Sequence, residues 1–172
     1  MRVYVDATTL IALGSVGELR LLNNLDGEVT ILPAVADEVT TEPTRTNLEM
    51  FIEGNDVRTE DPACEEYLEQ AHEVLGEDEE NGDTWIVSGA LARDDVAVVS
   101  DDRRVRTVSE GFGATVTGTI GVVVRAAHEE LTEEEAKEVV RRVDQHGLHM
   151  TAELRAKADR LIENVGEGGL HN

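Results

Sequence analysis

Apolar positions along the chain follow two alternating rhythms. Short apolar runs bounded by acids, glycines or prolines have the character of buried strands: Arg2 to Val5 (RVYV), Val29 to Leu32, Val96 to Val99 (VAVV) and Ala114 to Val116. Between them, apolar residues recur every three or four positions, the spacing of one helix face. Leu10, Ile11 and Leu13, then Leu19, Leu21 and Leu22, predict two short helices broken between Gly14 and Gly17. Pro33 opens a helix through Val35 and Val39, whereas Thr40 to Thr46 is polar and carries no clear pattern. Asp61-Pro62 is an N-cap with a first-turn proline, and Ala63, Tyr67, Leu68, Ala71 and Leu75 follow at helical spacing. A charged loop, Gly76 to Gly82, leads into a helix from Asp83 through Ile86, Ala90 and Leu91.

Arg103 to Glu110 and Gly118 to Ala127 predict helices on either side of the last strand. Thr132 to His146 is amphipathic, with Thr132 and Glu135 as a capping box and Ala136, Val139, Val140 and Val143 as its apolar stripe. Gly147 is its expected stop. Thr151 to Val165 repeats the pattern with Leu154, Ala158, Leu161 and Ile162. Strands alternating with helices argue for an α/β fold whose parallel sheet is covered on both faces. No linker separates two domains. The chain therefore reads as one domain over 1–165, with C-terminal helices at about 132–165 packed on it and 166–172 a disordered tail.

Composition changes this picture in one respect. The 172 residues carry 15 basic and 37 acidic side chains, a formal net charge of −22, and 13 of the 15 basic residues are Arg. Concentrated salt screens such self-repulsion, so the balance reads as adaptation to a high-salt cytoplasm. It removes the usual basic signature of nucleic-acid binding without excluding that function. The single Cys64 excludes an internal disulfide framework and a multi-Cys zinc site. No apolar run approaches the ~18 residues of a membrane span, and MRVYVDATT has no signal-peptide pattern. The expected setting is cytoplasmic, without a membrane partner.

In a parallel α/β sheet, ligands bind at the carboxyl ends of the strands. Four acids stand there. Asp6 ends the first strand, Glu38 lies in the helix after the second, Asp83 opens the helix before VAVVS, and Asp102 follows that strand with Asp101 beside it. Crowded carboxylates raise one another's pKa, and a hard divalent cation relieves the conflict. Against this stands the abundance of acids, about one position in five, and the liking of Asp for helix N-caps.

The wording of these segments adds a resemblance. VYVDATTLIAL, ILPAVADEV, GDTWIVSGALARDDVAVVSDDRRVR and VTGTIGVVVRAAHEE, in that order from about Arg2 to Ile162, resemble the PIN-domain family of metal-dependent ribonucleases. The resemblance implies a three-layer α/β/α fold with a 3-2-1-4-5 parallel sheet. It further implies a pocket in which Asp6, Glu38, Asp83 and Asp102 hold Mg²⁺ or Mn²⁺ and hydrolyse RNA phosphodiester bonds. Thr8 matches the companion hydroxyl of the first acid. Asp83 departs from the Gly-Glu pair usual in this branch, being one methylene shorter. Ser100 stands two residues before Asp102, as a Ser or Thr stands before the fourth acid of the family, and this favours Asp102. The count from Asp83 favours its rival Asp101. Successive residues leaving a strand point in nearly opposite directions, so only one of the two is expected as a direct ligand.

Arg103, Arg104 and Arg106 form the densest basic cluster, beside Asp102; they either neutralise local acids or meet RNA phosphates. The lysines lie only in the C-terminal helices, which excludes a response-regulator receiver, and Thr8 breaks the Asp-x-Asp of haloacid-dehalogenase phosphatases. Two readings stay open. One is an endoribonuclease, which in this family can be the toxin of a toxin–antitoxin pair with a cognate antitoxin as partner. The other is a catalytically weak fold serving as an RNA- or protein-binding module. A homodimer is expected in either case.

Overall fold

The computed structural model describes residues 1–146 and 148–168. The expected helix stop at Gly147 and the tail from 169 to 172 lie outside the described residues. Four strands form one parallel sheet: β1 (Arg2–Val5), β2 (Glu28–Thr30), β3 (Val96–Val99) and β4 (Thr115–Thr117), in the spatial order β2-β1-β3-β4. The register aligns Val3 with Val29 and Ala97, and Val98 with Val116. A fifth, outermost strand implied by the resemblance is reduced to one bridge. Arg58 donates its N–H to Val29 (2.9 Å) and accepts from Ile31 (2.9 Å). Pairing goes no further because Thr59 and Glu60 are exposed while Asp61 is drawn inward by Tyr4 and Arg93.

Helices connect the strands, as parallel pairing requires. In chain order they are α1 (Ala7–Ser15), α2 (Pro33–Ala36), α3 (Thr44–Gly54), α4 (Leu68–Leu75), α5 (Gly82–Ala92), α6 (Arg103–Gly111), α7 (Thr119–Glu129), α8 (Glu133–His146) and α9 (Ala152–Gly168). Short 3-10 turns cover Leu19–Asn24 and Pro62–Tyr67. α5, with α4 and α6, lies over one face, where the Tyr4 ring packs on the bare Cα of Gly89. α1, α7, α8 and α9 pack together over the other. The helix α3 falls where the sequence shows little pattern. It buries only Thr44, Leu48 and Phe51 against α1, and Asn47 anchors it by donating to the Gly14 carbonyl (2.8 Å). α9 continues three residues beyond Val165 into the segment expected as tail.

With few aromatics, the core is made of Val, Leu, Ile and Ala, and Leu10, Leu13, Leu21, Ile31, Leu32 and Ile86 are fully buried. No described helix is long and apolar enough to cross a membrane. The surface carries many more acids than cations to pair with them. Screening should therefore stabilise the fold. Raising KCl from low to molar concentration should lift the melting temperature by about 5–10 °C, a few kcal/mol at roughly 2–4 °C each for this size. A calorimetric scan series checks this, and a salt-independent transition would defeat it.

Candidate active site

Parallel strands that end side by side deliver the residues following them to one edge. The ladder runs one residue past the strands: Asp6 donates its N–H to the Val99 carbonyl (2.9 Å) and Ser100 to the Thr117 carbonyl (2.9 Å). Asp6, Ser100 and Gly118 are thereby neighbours at the carboxyl edge.

Asp6 is 1% exposed and caps α1. Its Oδ1 accepts the Ala7 N–H (2.8 Å), and its Oδ2 accepts hydroxyls from Ser100 (2.6 Å) and Thr8 (3.3 Å). Those hydroxyls also receive backbone N–H groups, Thr8 from Asp101 and Ser100 from Asp102, each at 3.0 Å. A hydroxyl has one proton. With an amide approaching each oxygen from one side, that proton is directed to Asp6. Burial pushes the Asp6 carboxyl upward, the Ser100, Ala7 and Thr8 bonds pull it down, the charge of Glu38 adds to the rise, and the balance lies above the ordinary value.

The two acids after β3 diverge. Asp102 turns onto its own helix, accepting the N–H groups of Arg104 (2.9 Å) and Val105 (3.1 Å) as the N-cap of α6. Its charge is felt by Asp83. Asp101 turns to α7, taking the N–H (2.8 Å) and hydroxyl (2.5 Å) of Thr119. Each acid thus anchors a helix start, and what separates them is that Asp102 lies on the side of Asp83. Asp102→Asn should abolish metal-dependent cleavage, and Asp101→Asn should weaken it modestly. Assays of both at one salt and one Mn²⁺ concentration compare them directly; loss only in Asp101→Asn would reverse the choice.

Glu38 comes from the turn after α2, beyond β2, and Asp83 from the start of α5. Glu38 Oε1 accepts the Gly82 N–H (2.8 Å) and lies so close to that Cα that an added Cβ would meet it at 2.8 Å. A glycine there lets the second acid reach the helix that presents the third. Asp83, in the first turn of α5, is raised to about 6 by burial and by the charges of Asp6 and Asp102, with Arg104 partly opposing. Arg104 pairs with Glu77, donates to the Leu75 carbonyl (3.2 Å) and lies 3.5 Å from Asp83. Of the two roles open to it, these contacts favour that of a local neutraliser. Arg103 and Arg106 make no ion pair among the described residues, as the cations that do pair are others.

Glu38, Asp6, Asp83 and Asp102 thus form a chain of neighbouring charges. Among the described residues, no three His, Cys, Asp or Glu side chains are gathered closely enough to hold a metal ion by themselves. An open set of carboxylates whose ionised forms oppose one another fits a hard cation that keeps several waters and completes its shell on substrate oxygens. Reading the sequence missed Thr119 and the Gly82 N–H, because each acts through a partner far along the chain. No curated protein and no solved structure matches the chain closely enough to supply a relative. A family model described as the PIN domain matches residues 2–164. With the parallel sheet, its helical layers and the acids at its carboxyl edge, that match places the chain in the PIN-domain family, whose fold is that of a nuclease.

Proposed function

We propose that this PIN domain is an endoribonuclease that hydrolyses RNA phosphodiester bonds with Mg²⁺ or Mn²⁺ held by Asp6, Glu38, Asp83 and Asp102. The observation that carries the reading is Asp6, a buried carboxylate oriented by two hydroxyls and an amide and surrounded by like charge. Asp6 keeps its orientation because Thr8 and Ser100 both donate to one oxygen. Glu38 is held by the Gly82 amide, and Asp83 enters from the first turn of α5. When bound, the cation supplies Lewis-acid chemistry, acidifying the attacking water and offsetting charge on the scissile phosphate. Arg103 and Arg106, without an ion pair among the described residues, would meet neighbouring phosphates from α6.

The Arg104–Asp83 contact favours the second reading, a catalytically weak RNA-binding module, since a guanidinium already offsets part of one acid's charge. A cleavage assay on structured and unstructured RNA at molar KCl, with Mg²⁺ or Mn²⁺ and with Asp6→Asn alongside, separates the two. Cation-dependent products absent from Asp6→Asn support hydrolysis, and RNA binding without products supports the module. Where the protein is a toxin, its antitoxin should co-purify from the native source and suppress cleavage.

Asp83 gives the site a pH signature. An unfolded Asp ionises near 3.8 and the folded Asp83 near 6. Between these values the folded chain holds a proton that the unfolded chain has lost, so stability falls as pH rises and levels off above about 6. The rise corresponds to on the order of 3 kcal/mol. In EDTA, the melting temperature of wild type relative to Asp83→Asn should drop by about 5–10 °C between pH 4 and pH 7. Millimolar Mn²⁺ at pH 7.5 should recover much of the difference. Parallel pH profiles for the two proteins would contradict the assignment.

A further inference from the structure

We propose that the groove between the start of α7 and the exposed face of α9 is the track for a single-stranded RNA segment leaving the carboxylate site. This rests on the ribonuclease reading above and names its substrate class. The groove encloses about 430 Å³, the size of a small-ligand site, and Asp101, which holds the Thr119 N–H, and Gly118 are among the residues that line it. Two of its lining residues, Asp101 and Gly118, directly follow Ser100 and Thr117 at the carboxyl edge, so the groove adjoins the edge on which Asp6 and Asp102 stand.

Charge is the first argument. Of the 15 Lys and Arg residues, all but Arg103, Arg106, Lys157 and Arg160 pair with an acid among the described residues. In a chain at −22, unpaired cations are scarce, and two of these four, Arg106 and Lys157, line this one groove together with His149. Arg106 reaches it past Gly118, where an added Cβ would meet its Nη1 at 3.2 Å and Asp101 Oδ1 at 2.6 Å. A polyanion repelled by most of this surface meets local attraction here.

The second argument is the floor. Leu154 and Leu161 are 39% and 38% exposed, and with Lys157 they stand at i, i+3 and i+7 on one face of α9. Ile120 lies opposite. Apolar side chains alternating with cations accept an unstacked base against the leucines and a phosphate on the cations. Duplex RNA keeps its bases stacked inside and offers the leucines nothing, so the geometry selects single strands.

The test is fluorescence-anisotropy binding of a mixed-sequence 12-nucleotide RNA, alone or annealed to its complement, to the whole protein in EDTA. Wild type should bind the single strand at least ~10-fold more tightly than the duplex. Lys157→Glu should weaken single-strand binding by roughly 10-fold and lower the salt slope by about one or more. Arg160→Glu, the same change one turn away and outside the groove, should stay within about 2-fold, and both should melt within a few degrees of wild type. Leu161→Ser should weaken single-strand binding alone. Equal effects of Lys157→Glu and Arg160→Glu would overturn the groove in favour of diffuse charge. So would loss of a dimer in sedimentation on Leu161→Ser with RNA binding unchanged, which would assign the face to a second copy. Binding in EDTA involves no hydrolysis. A wild type that binds through Lys157 but cleaves nothing in Mn²⁺ therefore overturns the ribonuclease reading and not the groove. Cleavage with binding indifferent to Lys157 does the reverse.

Discussion

Asp6→Asn should lower Mn²⁺-dependent RNA cleavage by roughly 10³-fold or more, beyond the 10–100-fold usual for residues that only support a metal ligand. Asp6 stands between Glu38 and Asp83 in the chain of charges, and it is the most deeply buried of the four acids. The amide keeps the shape and removes the charge that a cation needs. Folding should suffer little. Losing the buried charge relieves burial and the repulsion from Glu38, whereas the amide can match only part of the hydrogen-bond set, a loss of about 1 kcal/mol. Initial rates and thermal melts in EDTA check both halves. More than a tenth of the activity surviving would remove Asp6 from the centre of the site.

Arg93→Ala should destabilise the protein by about 3–5 kcal/mol, the cost of leaving a buried charge without its partner. Asp61 is 5% exposed at the opposite edge of the sheet, where Arg93 grips it through two bonds of 2.7 and 2.9 Å and the Tyr4 hydroxyl donates at 2.5 Å. Arg2 stands farther off, at 3.7 Å. Burial alone would push the Asp61 carboxyl up; the bonds from Arg93 and Tyr4 and the charges of Arg93 and Arg2 outweigh it and hold the group at about 2. Its folded value lies below the unfolded one. The stability it contributes is present above about pH 4 and disappears as pH falls toward 2. Urea melts at pH 2.5, 5 and 7 should show that acid-side loss in wild type and much less of it in Arg93→Ala. Arg93→Lys should recover only part, because an ammonium cannot grip both oxygens in a plane. A loss below 1 kcal/mol in Arg93→Ala would mean that Arg2 suffices.

These two effects sit at opposite edges of one sheet, and they were unequally legible. Asp6, Asp83 and Asp102 could be named as candidates from the chain because each stands at a strand end or a helix start, positions that apolar runs mark directly; Glu38, expected inside a helix running to Val39, falls in a turn because α2 ends at Ala36. Ser100 could be named by its spacing from Asp102, and the structure gives a physical reason: its hydroxyl takes the Asp102 N–H and donates to Asp6. Asp61 read only as an N-cap, which it is, accepting from Ala63 at 3.3 Å. Its partners Tyr4 and Arg93 lie 57 and 32 positions away, and nothing local announces them. The role of Arg104 stayed open in the chain because its partners, Glu77 and the Leu75 carbonyl, belong to a loop folded back from another element. The helix α3 stayed hidden because its two buried apolar side chains, Leu48 and Phe51, make too thin a stripe among polar neighbours. The outer strand shrank to Arg58 for a reason of the same kind, the distant demand on Asp61.

The donors around Asp6 carry a consequence of their own. An amide of α1 and two hydroxyls, each oriented by a main-chain N–H of the next loop, all present protons to the same side chain. Position 6 is therefore a convergence of three hydrogen-bond donors, whatever else the site binds. Among replacements of the same size it discriminates by the number of lone pairs they offer. An Asn that turns its oxygen to the hydroxyls sets its NH₂ against the Ala7 N–H, and one that turns the other way loses both hydroxyls. Isosteric exchange at this position therefore keeps the shape and forfeits part of the hydrogen-bond set, whichever way the amide turns.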